Sequence, residues 1–156
     1  MVLYEDANQK LGHHKLKNNY WQRKGIIIDR THRLFVGDYA FSLTPNVVVD
    51  TKQNLLELAS NFFCDKKRFE KECIKAKMNN IILIFLVEEK FDKEKLLKWT
   101  SPKNVNGKSF INVNGKQIYE KMKQFAKFYN CKFRFCHKNN TGRKVIELLK
   151  QYEKQA

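Results

Sequence analysis

Apolar and polar residues alternate along this chain with two different periods, which predict strands and helices in turn. Runs rich in β-branched and aromatic residues predict strands at positions 2–4, 26–28, 34–36, 47–52, 81–87 and 132–135. Apolar residues at helical spacing predict helices within 13–24, 55–63, 65–77, 118–129 and from Thr141 onwards. The run 81–87 is apolar on both faces, which is typical of a central strand covered on both sides. This order of elements indicates an α/β fold with a mixed sheet.

The length of 156 residues indicates one domain, 1–156, in which the last third, 103–156, completes the sheet and the helices. Residues 98–115, with their Pro, Gly and Asn, are expected to form a long loop. No apolar run reaches the roughly 18 residues that a membrane span needs, and the first residues lack the features of a signal peptide. We therefore expect a cytoplasmic protein with no membrane partner.

The net charge of +15 is concentrated at the C-terminal end. Residues 103–156 contain 13 basic and 3 acidic side chains, a net charge of +10. Such a basic segment is typical of proteins that bind a polyanion, with DNA as the first candidate. The alternative is a compositional origin, because Lys, Asn and Ile are all abundant, as they are in chains encoded by A/T-rich genomes.

The most informative segment, 34–52, predicts two short strands joined by a turn at Pro45 and Asn46. Asp50 and Lys52 are two residues apart on the second strand, so their side chains share a face. If the first strand is its neighbour, Asp38 lies beside them. Two carboxylates and a lysine at one place can bind Mg²⁺ and position a water molecule against a phosphodiester. We expect the metal ligands to be Asp38 and Asp50, aided by the backbone carbonyl of Thr51, with Mn²⁺ able to substitute.

Two other triplets of an acid, any residue and Lys occur, at 65–67 and 88–90. The first opens a charged helical stretch, where residues two apart do not share a face. Glu88 follows an apolar strand and is a genuine rival, but no nearby upstream strand brings a second carboxylate to it. The structural alternative for Asp50 and Lys52 is a surface hairpin with an ion pair worth about 0–1 kcal/mol. The role of Lys52 stays open between orienting the water, deprotonating it and stabilising the oxyanion.

The motif Gly37-Asp38-Tyr39, followed by a strand ending in acid-x-Lys, a Leu-rich helix and Arg68-Phe69, resembles the XPF-type nuclease domain of the PD-(D/E)XK superfamily. That family's pattern runs GDY, then ERK followed by Asp-Leu, then Arg-Phe/Leu-x-x-Gln. The resemblance implies a restriction-endonuclease-like mixed central sheet flanked by helices. It also implies a stand-alone, phage-like nuclease domain that acts in repair or recombination, in the host cytoplasm if phage-encoded.

The resemblance also implies roles for further residues. Glu5 ends the segment that matches the family's first strand, and it is expected to be an accessory carboxylate. Glu57 stands beside Leu56, which occupies the position of the family's next acid, and is expected to substitute for that acid. Arg68 matches the arginine that opens the family's second helix.

Nucleic-acid contacts are expected from basic residues in two regions. In the first region, directly after the Leu-rich helix, they are Lys66, Lys67 and Arg68. In the second, the basic C-terminal third, they are Lys132, Arg134, Arg143 and Lys144. For Lys66 and Lys67 a solvated helix face is an equal alternative. These residues complete the leading hypothesis, a Mg²⁺-dependent DNA endonuclease that cleaves through Asp38, Asp50 and Lys52.

Two alternatives from other classes remain. One is a catalytically degenerate nuclease fold that binds DNA without cutting it. The other is a dimerisation partner that forms a homodimer or heterodimer through its nuclease domain.

Overall fold

The fold, taken from a computed structural model, is built around one mixed sheet of six strands. The structure describes residues 1–10, 12–105, 108–109 and 112–155. The strands lie in the order β2-β1-β3-β4-β5-β8. Their bounds are β1 Val2–Glu5, β2 Ile27–Asp29, β3 Tyr39–Phe41, β4 Thr44–Lys52, β5 Ile82–Val87 and β8 Lys132–Phe135. Strand β3 is antiparallel to β1 and β4, whereas β1–β2, β4–β5 and β5–β8 are parallel pairs.

Helices cover both faces of the sheet. On one face α1 packs against α6, around Trp21, Val49 and Leu149. On the other face α2, α3 and α5 pack together around a core that includes Phe62 and Phe85. The helix bounds are α1 Lys15–Arg23, α2 Leu55–Phe63, α3 Lys66–Met78, α4 Lys93–Lys98, α5 Gly115–Tyr129 and α6 Thr141–Glu153. No helix in the described ranges combines the length and apolar character needed to cross a bilayer.

Local sequence explains where these elements begin and end. Strands β4 and β5 are rich in Val, Ile and Leu because both lie inside the sheet and are covered on both faces. The side chain of Asn54 caps α2 by accepting a hydrogen bond of 2.8 Å from the Glu57 backbone N–H. Asn114 and Gln117 form a reciprocal capping box at the start of α5. The predicted α/β class and mixed, helix-flanked sheet are therefore confirmed.

Three local predictions are wrong. Residues 34–36 are not a strand but part of a loop, and the strand begins at Tyr39 instead. Pro45 lies inside β4 rather than in a turn, which is tolerated because β5 pairs with β4 only from Val47 onwards. The expected long loop contains two short paired strands, β6 Asn104–Val105 and β7 Lys108–Ser109; positions 106–107 and 110–111 of that prediction lie outside the described residues.

Candidate active site

The C-terminal end of β4 carries a buried acid and a buried lysine on one face of the sheet. Asp50 and Lys52 are both less than a tenth exposed, and Lys52 Nζ lies 2.9 Å from Asp50 Oδ2. Thr51 between them points to the opposite face, as the period of a strand requires. Strand β5 pairs with β4 through this end, from Val47 to Lys52, which makes the backbone rigid there.

Asp38 joins this pair from the loop that precedes β3. Its backbone N–H donates to the carbonyl of Val49 at 3.0 Å. Its Oδ2 accepts hydrogen bonds of 2.8 Å from both the backbone N–H and the hydroxyl of Thr51, and Gln9 donates to its Oδ1. Asp38 is therefore held against β4 by both its backbone and its side chain, and Asp38 and Asp50 line the same cavity, as predicted from the sequence.

The approach of Asp38 to β4 depends on Gly37. This residue has a φ of +70°, a region that residues with a side chain adopt at a cost. A Cβ at this position would lie 2.4 Å from Cγ1 of Val48 and 3.4 Å from the carbonyl oxygen of Val49. Only glycine allows the chain to pass this close to β4 and deliver the next residue into the site.

The two carboxyl groups repel each other in the absence of a cation. Burial raises the pKa of Asp38 well above its usual range, and the nearby charge of Asp50 raises it further, while the hydrogen bonds from Thr51 oppose the rise. Among the described residues, no donor is aligned for a hydrogen bond with the buried Oδ2 of Asp50, although Lys52 Nζ lies at ion-pair distance from that atom. The site thus holds concentrated negative charge with unused acceptor capacity.

Lys52 is held in its charged form. Burial by itself lowers the pKa of Lys52, but the carboxylates of Asp50, Glu72 and Glu57 more than offset this and raise it above its usual value. Its ammonium also lies 5.6 Å from the ring centroids of Phe69 and Phe85, within the range of cation–π attraction. Lys52 is therefore an ammonium ion at neutral pH and not a free base.

These residues lie in a cavity of about 780 Å³ that is lined by both acidic and basic side chains. The acids are Asp38, Asp50, Glu57, Glu72 and Glu88, and the basic residues are Lys10, Lys15, Lys17, Lys52, Arg68 and Lys138, with His13 and His14 beside them. Burial, followed by the charges of Lys17 and His13, lowers the pKa of His14 to about 4, so its ring is neutral at pH 7. Such an arrangement can attract a polyanion and still keep a place for a divalent cation.

Two features of the cavity were missed by sequence reasoning. Glu72 lies in it, and burial together with the charge of Asp50 raises the pKa of this carboxyl. A sequence signal existed, because Glu72 occupies the Gln position of the Arg-Phe-x-x-Gln pattern that begins at Arg68. Lys17 and Glu88 form a second buried ion pair, at 2.7 Å, which joins α1 to the end of β5 and which no local pattern could reveal. Glu88 is thus part of the same cavity and not of a rival site.

The two expected accessory carboxylates have different positions. Glu57 lines the cavity, but its Oε2 accepts a hydrogen bond of 2.6 Å from the backbone N–H of Gln53 at the start of α2. Glu5 is fully buried, lies 3.3 Å from Nε of Arg30 and does not line the cavity. Glu57 therefore acts on the site through its charge, whereas Glu5 is separated from it.

Of the predicted nucleic-acid contacts, the structure brings only Arg68 to the cavity. Lys66 and Lys67 lie on the exposed face of α3, outside the cavity lining. In the C-terminal group, Arg134 donates to the hydroxyl of Tyr152 at 2.6 Å, and Lys132 lies over the same ring. Arg143 and Lys144 both pair with Glu147, at 3.5 and 3.7 Å. None of these four residues lines the cavity.

The residues present fit a single Mg²⁺ ion. No set of three or more His, Cys, Asp or Glu side chains in the described ranges has the arrangement of a metal site. Mg²⁺, however, commonly binds through one or two carboxylates and keeps several water ligands. Asp38 and Asp50 can supply those carboxylates, and the unsatisfied Oδ2 of Asp50 is the atom best placed to gain from a cation.

The fold has counterparts among solved structures. XPF from Aeropyrum pernix superposes with a TM-score of 0.67 at 14% sequence identity, covering 97% of this chain and 64% of that chain. XPF from Aeropyrum pernix in complex with DNA gives a TM-score of 0.64 at 15% identity, covering 99% of this chain and 66% of that chain. This chain thus spans less than two thirds of the length of either solved protein. No protein-family model and no curated protein sequence matches the chain. The protein therefore shares the fold of these XPF structures, a mixed sheet flanked by helices.

Proposed function

We propose that this protein is a Mg²⁺-dependent DNA endonuclease that hydrolyses phosphodiesters at the end of β4. The observation that carries the proposal is the convergence of Asp38, Asp50 and Lys52 in one cavity, from two chain segments held together by the Thr51 hydrogen bonds. Support comes from the basic side chains that line the cavity and from the fold shared with XPF.

In this proposal Asp38 and Asp50 hold Mg²⁺, and Mn²⁺ can replace it. The bound cation polarises the scissile phosphate and lowers the pKa of a water ligand. Because the pKa of Asp38 is raised, this carboxyl gives up its proton as the cation binds, so metal affinity should increase with pH.

The charged state of Lys52 narrows its role. An ammonium ion cannot take a proton from the attacking water, so Lys52 acts by orienting the water through hydrogen bonds and by stabilising the negative charge that develops on the phosphate. As the water oxygen bonds to phosphorus, the water gives up a proton to solvent. The bond to the leaving sugar oxygen breaks, and that oxygen takes up a proton from solvent. Arg68, at the edge of the cavity, contacts a neighbouring phosphate.

The proposal is tested by incubating supercoiled plasmid with the purified protein and Mg²⁺ and comparing Asp50→Asn with wild type. Removal of the carboxylate charge should lower the cleavage rate about 100-fold or more, beyond the loss typical of a residue that only orients a ligand. Glu94→Gln is the matched control, because Glu94 is an exposed carboxylate paired with Lys98 on α4. Equal cleavage by wild type and Asp50→Asn would end the assignment.

A second candidate is a nuclease fold that binds DNA without cutting it, alone or as the inactive member of a dimer. The observation in its favour is the lack of a third side-chain metal ligand in the described part of the chain. This candidate predicts salt-sensitive DNA binding in EDTA, no products with Mg²⁺, and in the dimer version activity only after a partner subunit is added. A cytoplasmic location and a phage-like origin stay predictions from the sequence.

A further inference from the structure

We call Asp38, Asp50 and Glu72, in the first cavity, the acid cluster. A second groove, with a volume of about 610 Å³, leads away from it along the loop before β3. It shares Asn8, Gly37, Arg68 and Glu72 with the first cavity, so the two form one continuous depression. On this side of the acid cluster the lining includes Arg33, Phe35 and Lys75, none of which lines the first cavity.

Phe35 is presented to solvent by a loop that is firmly held. Its neighbour Val36 is 6% exposed and belongs to the core, and Leu34 packs against that core. The backbone N–H of Leu34 donates to Oδ1 of Asp6 at 2.8 Å. Phe35, between two inward-facing residues, is 54% exposed. An aromatic ring fixed in this way loses little conformational entropy when a ligand covers it.

Arg33, Lys71 and Lys75 line the groove together with Phe35 and are available to a ligand. Lys75 Nζ lies 3.8 Å from the centroid of the Phe35 ring. Within the described residues, no carboxylate lies at ion-pair distance from Arg33, Lys71 or Lys75. Exposed Lys side chains are flexible, so the ammonium of Lys75 can move from the ring to a phosphate.

An exposed aromatic ring in a cationic groove is the arrangement that binds single-stranded nucleic acid, because bases stack on the ring and phosphates pair with the cations. A regular duplex does not offer its base faces in this way, since they are stacked on each other. Phe35 and Asp38 are three positions apart, so their Cα atoms are at most about 11 Å from each other. At 3.4 Å per nucleotide along a stacked strand, the base on Phe35 would lie about three nucleotides from the acid cluster.

We propose that the groove beside the acid cluster binds an unpaired stretch of DNA, with one base stacked on Phe35 and the adjacent phosphates held by Arg33, Lys71 and Lys75. This subsite rests on the proposed nuclease function and adds to it a specific residue that selects unpaired strands near the point of cleavage.

The test measures binding in EDTA, where no cleavage occurs, by fluorescence anisotropy of two labelled strands. One strand is a thymidine 12-mer, and the other has the same backbone with every base removed. Phe35→Ala should bind the thymidine strand about 5- to 150-fold more weakly than wild type, with little change for the abasic strand. Phe35→Trp should restore affinity for the thymidine strand.

Phe128→Ala is the matched control, because Phe128 is an exposed phenylalanine on α5 that lines neither cavity. Phe35→Leu is a second variant that keeps an apolar side chain and removes the stacking face, and it should lose affinity as Phe35→Ala does. Failure of wild type to bind the thymidine strand, unchanged affinity in Phe35→Ala, or an equal loss for both strands would each overturn the subsite.

These outcomes are independent of catalysis. If the thymidine strand binds as expected but plasmid is not cut with Mg²⁺, the proposed nuclease function fails and the subsite stands. If plasmid is cut and Phe35→Ala binds both strands like wild type, the subsite fails and the nuclease function stands.

Discussion

Replacing Gly37 by alanine should destabilise the fold and abolish cleavage together, because this glycine brings Asp38 to β4. The positive φ of +70° would cost an alanine about 1–2 kcal/mol. The new Cβ would also meet Val48 Cγ1 at 2.4 Å, an overlap that requires a shift in the core and costs about 1–3 kcal/mol more. The free energy of unfolding should therefore fall by about 2–5 kcal/mol.

Gly25 provides a matched control, since its φ is +67° and a Cβ there would have no atom within 4 Å. Gly25→Ala should lower the free energy of unfolding by only about 1–2 kcal/mol. For a chain of this size each kcal/mol shifts Tm by about 2–4 °C. Urea denaturation followed by circular dichroism gives both free energies, and plasmid cleavage with Mg²⁺ gives the activity, which Gly25→Ala should retain.

Val48→Ala removes the atom that the new Cβ would meet, so the double variant with Gly37→Ala should be more stable than the sum of the single effects predicts. Two results would refute this reasoning: the same loss of stability in Gly25→Ala and Gly37→Ala, or full cleavage by Gly37→Ala. Either would mean that the close approach of the loop to β4 does not control the position of Asp38.

Three further predictions concern charge. Folding raises the pKa of Asp38, so the free energy of unfolding of wild type should fall as the pH rises from the unfolded-state pKa of about 3.9 through the higher folded-state pKa. In EDTA, urea titrations should therefore show Asp38→Asn gaining stability relative to wild type between pH 4 and pH 8. A difference that shrinks over this range would contradict this reasoning. Lys52→Met leaves Asp50 buried and unpaired, so the free energy of unfolding should fall by about 3–5 kcal/mol. The double variant Lys52→Met with Asp50→Asn should lose less than Lys52→Met alone, and additive losses from the two substitutions would refute this pairing. Arg68→Ala should flatten the salt dependence of duplex binding by about one phosphate contact, because Arg68 lines the cavity. Lys144→Ala, outside the cavity lining, should change the salt dependence little, and equal slopes for both variants would contradict this placement.

The sequence predicted that Asp50 and Lys52 share a face of one strand because their relation is local. Two residues apart on any strand share a face, and the apolar residues around them required a covered strand. The same local reasoning predicted helices within 55–63 and from Thr141 onwards, where α2 and α6 lie. Such features depend on backbone period and side-chain type, which are visible in a short window of sequence.

The loop before β3 shows where this reasoning fails. Residues 34–36 have the composition of a strand, yet Leu34 and Val36 are drawn into the core while Phe35 remains exposed. The hydrogen bonds that determine this path come from Asp6 and from Val49, far away in sequence. Tertiary contacts therefore overrode a local preference, and they created the groove that adjoins the acid cluster.

The basic C-terminal third shows the same limit for charge. Composition located the excess of positive charge at 103–156, but not whether that charge is available to DNA. In the structure Arg143 and Lys144 share Glu147, and Arg134 is bound to Tyr152. Arg33, Lys71 and Lys75, in the groove with Phe35, have no carboxylate at ion-pair distance within the described residues. Availability depends on which partner the fold brings within reach.

By itself the sequence determined the α/β class, the strand that bears Asp50 and Lys52, and the position of Asp38 directly after Gly37. Only the tertiary structure decided that Asp38 meets Asp50, that Glu72 and the Lys17–Glu88 pair join them, and that Glu5 does not. The physical reason is that backbone period and side-chain chemistry act over a few residues, whereas the convergence of charges depends on how distant segments pack against one sheet.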